Sequence, residues 1–359
     1  MAGLNEALAD LASIPRLTHA RLRNLLERFG QPEAILAVRQ RDLLEVEGID
    51  DVLAGSIAGY RRDSELDRRI AAARDAGVWT VDWREPGYPT AMREVKGMPP
   101  VLFGRGEVRA DDRLAIAVVG TRRPTHYGQQ VAARISRELA LHGVTVTSGL
   151  ARGVDTCAHR AALESGGRTI AVLGSGIDVT YPPENRRLAD EVAAGGAVLT
   201  EFGLGTEPIA TNFPRRNRIV SALSRGVVAV EAGERSGVLN TVAWAADQGR
   251  DVYAVPGRIT DPSSAGTNRL LREGARPVLG AEDILQDLGV ALHLEERQKL
   301  PLEEEEKAVI AILSGDPLHV DEICQATELA MARLLGVLMQ LEVKGAVRQL
   351  PGKFFVRSC

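Results

Sequence analysis

Cysteine is scarce in this 359-residue sequence: Cys157, Cys324 and Cys359 stand far apart, with no CxxC spacing among them. They can assemble neither a disulfide framework nor a zinc cluster, which fits a reducing compartment and sets the expectation of a cytoplasmic protein. Long apolar runs are missing too. No stretch of 18 apolar residues occurs, and MAGLNEALADLASIPRL places Glu6 and Asp10 where a signal peptide needs its apolar segment. Neither a membrane span nor a secretion signal is expected. There is no excess of positive charge: the net charge is -4, so a nucleic-acid partner would have to be held by local clusters of arginine and lysine. Familiar nucleotide and metal motifs are also absent. The loop GTRRP is not GxGxxG, GSGIDV offers only GxG, and neither GxxxxGK[ST] nor HExxH appears. NAD, ATP hydrolysis and zinc catalysis therefore lack support, and no cofactor or metal is expected.

What is present suggests two or three domains, since 359 residues with 45% hydrophobic content exceed one ordinary core. Residues 1–75 carry apolar residues at helical spacing, such as Leu22, Leu25, Leu26 and Phe29, ending at Gly30 before Pro32. This predicts a small helical unit, SAM-like or helix-hairpin-helix. Within it, Val46 to Asp50 has the outline of a helix-hairpin-helix turn, with an ordinary helical turn as the preferred reading. Residues 76–110 suit an extended lead-in to a sheet. From 114 to 288, apolar strands alternate with helical segments, which predicts an α/β unit with a doubly wound parallel sheet. Strands are expected near 115–119, 144–147, 169–173, 197–199, 227–230 and 252–255. The acidic, proline-containing stretch 289–302 reads as a linker. Residues 303–359 read as three helices and a hairpin, the order of a winged helix.

In such a sheet, ligands sit beyond the carboxyl ends of the strands, and the loops there share a composition. They include Gly120, Thr121, Arg122 and Arg123; Ser148, Gly149 and Arg152; Gly174-Ser175-Gly176; and Arg235, Ser236 and Gly237. Small residues admit a ligand to the backbone, helix-start amides attract anions, and arginines add forked contacts, so together the loops suggest a phosphate-binding strip. The densest basic segment is Phe213-Pro214-Arg215-Arg216-Asn217-Arg218 at a helix entry. Arginines there oppose the helix dipole, which points to an anionic partner, and an aromatic among them can stack a base. Asp155 and His159, four apart on one helix, lack a third ligand and read as a helix-start contact and an orienting hydrogen bond.

GTRRP, SGLARGVDTCAH, YPPEN, FPRRNRIVSALS, EAGERSGVLNTVAWA and VPGRITDPSSAGTNRLLREGA occur in the order and at roughly the spacing of the DprA (Smf) proteins, which this sequence resembles. The resemblance is strong over residues 76–285 and looser in the flanks. It implies an extended Rossmann-like fold without enzymatic activity. It also implies binding of single-stranded DNA, loading of RecA onto it in the presence of single-strand-binding protein during natural transformation, and a homodimer formed through the Rossmann-like domain. The DNA-facing groups it implies are Thr121, Arg122, Ser148, Gly149, Arg152, Phe213, Arg215, Asn217 and Arg218. Residues 236–243 depart from the pattern at Asn240, and 208–212 lack a lysine that some relatives carry. Lys344, Arg348 and Lys353, around the wing, form a candidate secondary DNA surface, with protein contacts an equal reading.

Two other functions compete. A nucleoside-monophosphate phosphoribohydrolase of the LOG type would need a catalytic Glu in its phosphate loop, and residues 234–241 supply none after Glu234. A winged-helix transcription regulator would need a recognition helix rich in polar groups, and residues 330–341 offer Arg333 as the only cation. On the leading reading, Arg122→Ala and Arg218→Ala should each weaken single-strand binding while leaving folding intact.

Overall fold

The computed structural model describes residues 3–290, 303–314, 316–344 and 346–357. Nearly all of the linker expectation, from residue 291 on, lies outside the described residues.

Six helices open the chain: α1 (Glu6–Ser13), α2 (His19–Phe29), α3 (Pro32–Ala37), α4 (Gln40–Leu43), α5 (Asp51–Ala58) and α6 (Ser64–Asp75). Short polar side chains start them. Asp50 and Asp63 each accept the amide three residues on, at 2.8 Å, filling donors that the helix leaves free. At the 46–50 turn Asp50 therefore serves as the cap of α5, as in an ordinary helical turn. The apolar faces of these helices do not close on themselves. Leu8, Leu25, Leu26, Leu53 and Ile57 run into one buried cluster with Leu173, Ile177, Leu188 and Val192 of the following unit.

That unit comprises β1 (Trp79–Asp82), α7 (Thr90–Arg93), β2 (Val101–Gly106), β3 (Ala115–Val119), α8 (His126–Leu141), β4 (Thr145–Ser148), α9 (Val154–Glu164), β5 (Thr169–Val172), α10 (Arg186–Gly195) and β6 (Ala197–Thr200). It continues through α11 (Asn212–Ala222), β7 (Gly226–Ala229), α12 (Val238–Asp247), β8 (Asp251–Ala254), α13 (Ala265–Arg272), β9 (Arg276–Pro277) and α14 (Ala281–Asp287). The strands form one sheet in the order β1-β2-β6-β5-β4-β3-β7-β8-β9. Strands β3 to β9 are parallel, whereas β2 joins β6 antiparallel and carries β1, so the expected lead-in extends the sheet by two strands. Alternate residues face opposite layers. Ile116 and Val118 pack under α8, α9 and α14, while Ala117 and Val119 pack under α11 and α12. After β6 the chain crosses back to place β7 beside β3, so strand order reverses between these two.

The last unit contains α15 (Glu304–Ile312), β10 (Leu318–His319), α16 (Val320–Thr327), α17 (Met331–Val343), β11 (Val347–Leu350) and β12 (Phe354–Arg357). Its strands pair as β10-β12-β11, and Val309, Ile323, Leu334, Leu338 and Phe355 form its core. Among the described residues it meets the larger unit through Arg258–Asp316 at 2.6 Å, the Gln130 amide donating to the Arg357 carbonyl at 3.4 Å, and Arg348 beside His126 at 3.3 Å.

Candidate nucleic-acid interface

The reversal of strand order opens a cleft of about 510 Å³ at the carboxyl ends of β3, β4 and β7, closed on another side by α11. Gly120, Thr121 and Arg122 line it after β3, and Gly149, Ala151 and Asp155 after β4. Ser236, Gly237, Val238 and Thr241 come from the start of α12, Tyr181 from the 180s loop, and Phe213, Pro214, Arg216 and Asn217 from α11.

The β3 loop is pinned. The Thr121 amide donates to the Glu231 carbonyl at 2.8 Å, and the Thr121 carbonyl accepts from the Val154 amide at 3.2 Å. The buried Glu231 carboxylate then accepts from the Thr125 amide at 2.9 Å and its hydroxyl at 2.5 Å. Thr125 in turn caps α8 by accepting the Gly128 amide at 3.2 Å. Two glycines allow this close approach: a Cβ at Gly120 would collide with Val154, and Gly153 has a φ of +79°, which favours glycine. Leu150, in the neighbouring loop, adopts a φ of +57° without being glycine. Its carbonyl accepts from Asn185 at 2.9 Å. Such local strain persists where surroundings over-determine it.

Arg122 projects from the pinned loop, and its guanidinium lies 5.2 Å above the half-buried Phe213 ring, which in turn meets Tyr181 at 5.6 Å. Beneath them, the buried Arg216 donates to the Gly149 carbonyl at 2.6 Å and to that of Val172. Asp155, also buried, accepts the amides of Gly149 and Ala151 at 3.1 and 3.3 Å. Burial pushes Arg216 down to about 10, opposed by Asp155, and it stays charged at neutral pH. Burial also raises Asp155, countered by Arg216 and the two amides. The cleft therefore has a fixed cation under its floor, an exposed one at its rim, and the starts of α9 and α12 at its edges. An anion with a planar, stackable group suits it.

The structure gathers Gly120, Thr121, Arg122, Gly149, Phe213, Asn217, Ser236 and Gly237 around this cleft. Other expected residues lie elsewhere. Arg123 is exposed beside the rim, and Ser148 is buried, donating to the Val118 carbonyl at 2.7 Å. Arg152 is paired with Glu184. Arg215 points to the far side of α11. Arg218 needs correction: it is 7% exposed and ion-paired with the buried Glu201, so it is a structural cation, not a DNA-facing one. Around the wing, Lys344 is held by both oxygens of Glu306 at 2.7 Å, and Arg348 rests against His126, which leaves the exposed Lys353 as the open cation of that set. Sequence reading gave Arg216, Tyr181 and Glu231 no individual place in the site, although the segments FPRRNRIVSALS, YPPEN and EAGERSGVLNTVAWA contain them. For Arg216 a signal existed, because a helix starting at Asn212 places 212, 216, 219 and 223 on one face, the buried one. Among the described residues, no three His, Cys, Asp or Glu side chains come together to hold a metal ion, and no helix is long and apolar enough to cross a membrane.

A family model described as DNA recombination-mediator protein A matches residues 79–289, and one described as the DprA winged helix domain matches residues 294–353. The chain belongs to the DprA (Smf) family. The resemblance expected from the motifs, the α/β class and the winged helix are thereby confirmed. Among relatives, Protein Smf of Synechocystis is 33% identical over 377 residues, covering 94% of each chain. A putative DNA processing protein DprA of Mycobacterium tuberculosis is 38% identical over 364 residues, covering 93% of this chain and 94% of its own. The X-ray structure of Streptococcus pneumoniae DprA superposes with a TM-score of 0.68 at 32% identity, covering 81% of this chain and all (100%) of that one. A structure of Helicobacter pylori DNA processing protein A, described for its single-stranded-DNA binding mode, superposes with a TM-score of 0.54 at 32% identity, covering 59% of this DprA chain and 95% of that one.

Proposed function

We propose that this DprA-family chain binds single-stranded DNA in the cleft between β3, β4, β7 and α11, and that it hands the strand to RecA during natural transformation and recombination. The observation that carries this reading is Arg122 stacked 5.2 Å over Phe213 at the rim of a cleft whose backbone is pinned and whose floor holds Arg216. A base can stack where the guanidinium now lies, and the freed cation can hold the adjacent phosphate. The protein would act by binding, without catalysis, as a homodimer through its Rossmann-like unit, in the cytoplasm and alongside single-strand-binding protein. Asp155, the acid in the cleft, has its carboxylate engaged by two amides and opposed by Arg216, which disfavours a phosphoribohydrolase role.

Fluorescence anisotropy with matched single-stranded and blunt duplex oligonucleotides tests the core of this reading. Single strands should bind far more tightly, with affinity falling along a log-log salt slope of about -0.7 per phosphate neutralised. Equal affinities would refute it, as would release of a free base from nucleoside monophosphates. A RecA strand-exchange assay in the presence of single-strand-binding protein tests the hand-over.

A further inference from the structure

The first turn of α11 is a divide. Phe213 and Pro214 face the cleft, whereas Arg215 faces a separate cavity of about 270 Å³ between the sheet and the N-terminal helices, lined also by Thr18, His19, Phe202 and Thr206. Here the cleft's motif recurs. The Arg215 guanidinium lies 5.5 Å over the Phe202 ring, as Arg122 lies 5.2 Å over Phe213.

Arg215 is loosely held. Its side chain is 52% exposed, and its polar neighbours stand at 3.5 Å (His19 Nδ1) and 3.7 Å (Glu201). Glu201, which also lines the cavity, shares one carboxylate oxygen between Arg218, His19 at 2.8 Å and Arg215 at 3.7 Å, so two arginines face a single carboxylate. At the cavity wall, Arg16 is paired with Asp50 at 2.5 Å. The charge left open at the seam is thus that of Arg215, beside the polar groups of Thr18 and His19. A cavity of this size falls below the 300–1,000 Å³ usual for a free-standing small ligand. It suits one base or phosphate of a longer chain that is anchored elsewhere.

Resting on the reading of the cleft as a single-strand site, we propose that the DNA path leaves the cleft over Pro214 and enters this seam, where Arg215, Phe202, His19 and Thr18 form a second nucleotide subsite. The N-terminal helical unit is then part of the DNA interface, not a spectator. The added subsite lengthens the occupied strand and contributes one phosphate contact through Arg215.

Strand length separates the two subsites. Labelled oligothymidylates of about 4 and about 16 nucleotides span the range of common single-strand site sizes and can be titrated against the full-length protein and its variants. Arg122→Ala should weaken both lengths and so reports on the cleft. Arg215→Ala should weaken the long strand about tenfold, leave the short one unchanged, and flatten the long-strand salt slope by about 0.7. His19→Ala should follow Arg215→Ala with a smaller loss, and circular dichroism of each variant should match the parent. If Arg215→Ala weakens both lengths equally, or neither, or leaves the salt slope unchanged, the seam subsite is wrong whatever Arg122→Ala shows. If Arg122→Ala alone is silent, the cleft reading fails instead.

Discussion

Arg216 and Arg218, two positions apart on α11, are both buried and yet serve different ends. Arg216 is satisfied by backbone carbonyls beneath the cleft, whereas Arg218 is committed to Glu201, whose other oxygen has no partner. Burial raises the Glu201 carboxyl, and His19, Arg218 and Arg215 together bring it below its ordinary value. Removing Arg218 would leave that buried carboxylate to His19 at 2.8 Å and the more distant Arg215. Breaking a buried pair from one side costs about 3–5 kcal/mol, so Arg218→Ala should lower the urea midpoint sharply. Arg122 is exposed, and Arg122→Ala should leave stability within about 0.5 kcal/mol while weakening single-strand binding by about 1–3 kcal/mol. Urea titrations beside anisotropy check both. Equal stability of the two variants would contradict the assignment of Arg218 to the interior.

Between elements, a buried polar chain ties α9 to β5 and β4. Thr169 donates its hydroxyl to the Val146 carbonyl at 2.7 Å, so the contact of 2.6 Å with His159 requires His159 Nδ1 to be the donor. Its Nε2 has no partner. Burial, aided by Arg216, pushes this imidazole down to about 3, against an ordinary value near 6.5. The unfolded chain therefore takes up a proton between about pH 6.5 and 3 that the folded chain refuses, and stability falls as pH drops through that window. At about 1.4 kcal/mol per pH unit, the contribution reaches at most about 5 kcal/mol. His159→Asn keeps a donor near the Nδ1 position without the titration. Denaturant midpoints at pH 5 and 7.5 should differ less for this variant than for the parent; an unchanged difference would show that His159 does not carry it.

Across the whole molecule, the two flanking units relate differently to the sheet. The winged helix meets it through exposed polar contacts, and three of its large apolar side chains, Met331, Leu335 and Met339, are exposed at helical spacing on α17. A chain ending at Val290 keeps every cleft residue and should bind single strands within about threefold of the parent, a difference of under 1 kcal/mol. A folded but non-binding truncation would move the principal DNA site to the winged helix. Deleting residues 1–75 is another matter, because Leu173, Ile177, Leu188 and Val192 would lose the helices that cover them. At about 1.5–3 kcal/mol for each exposed aliphatic side chain, that chain should aggregate or unfold. Soluble, folded material by circular dichroism would show that the shared core is dispensable.

Much of this was determined by the sequence alone. The alternation of apolar strands and helices, the family motifs and the glycine- and arginine-bearing loops after β3, β4 and β7 are local signals, because turn chemistry and side-chain periodicity act over a few residues. Arg122 and Phe213 were each recognisable as site residues, one in a loop after β3 and the other in a basic helix entry, but their stacking on one another is a tertiary contact. Helical phase along α11 decided more than composition could. Four consecutive positions, Arg215 to Arg218, look alike as a polar run, yet a turn of 100° per residue sends Arg215 to the seam, Arg216 and Asn217 to the cleft and Arg218 to Glu201. Only the tertiary structure could supply Glu201, Glu231 and the helices of the first 75 residues as neighbours, since long-range contacts set which charges are neutralised, which loops are pinned and which apolar faces share a core.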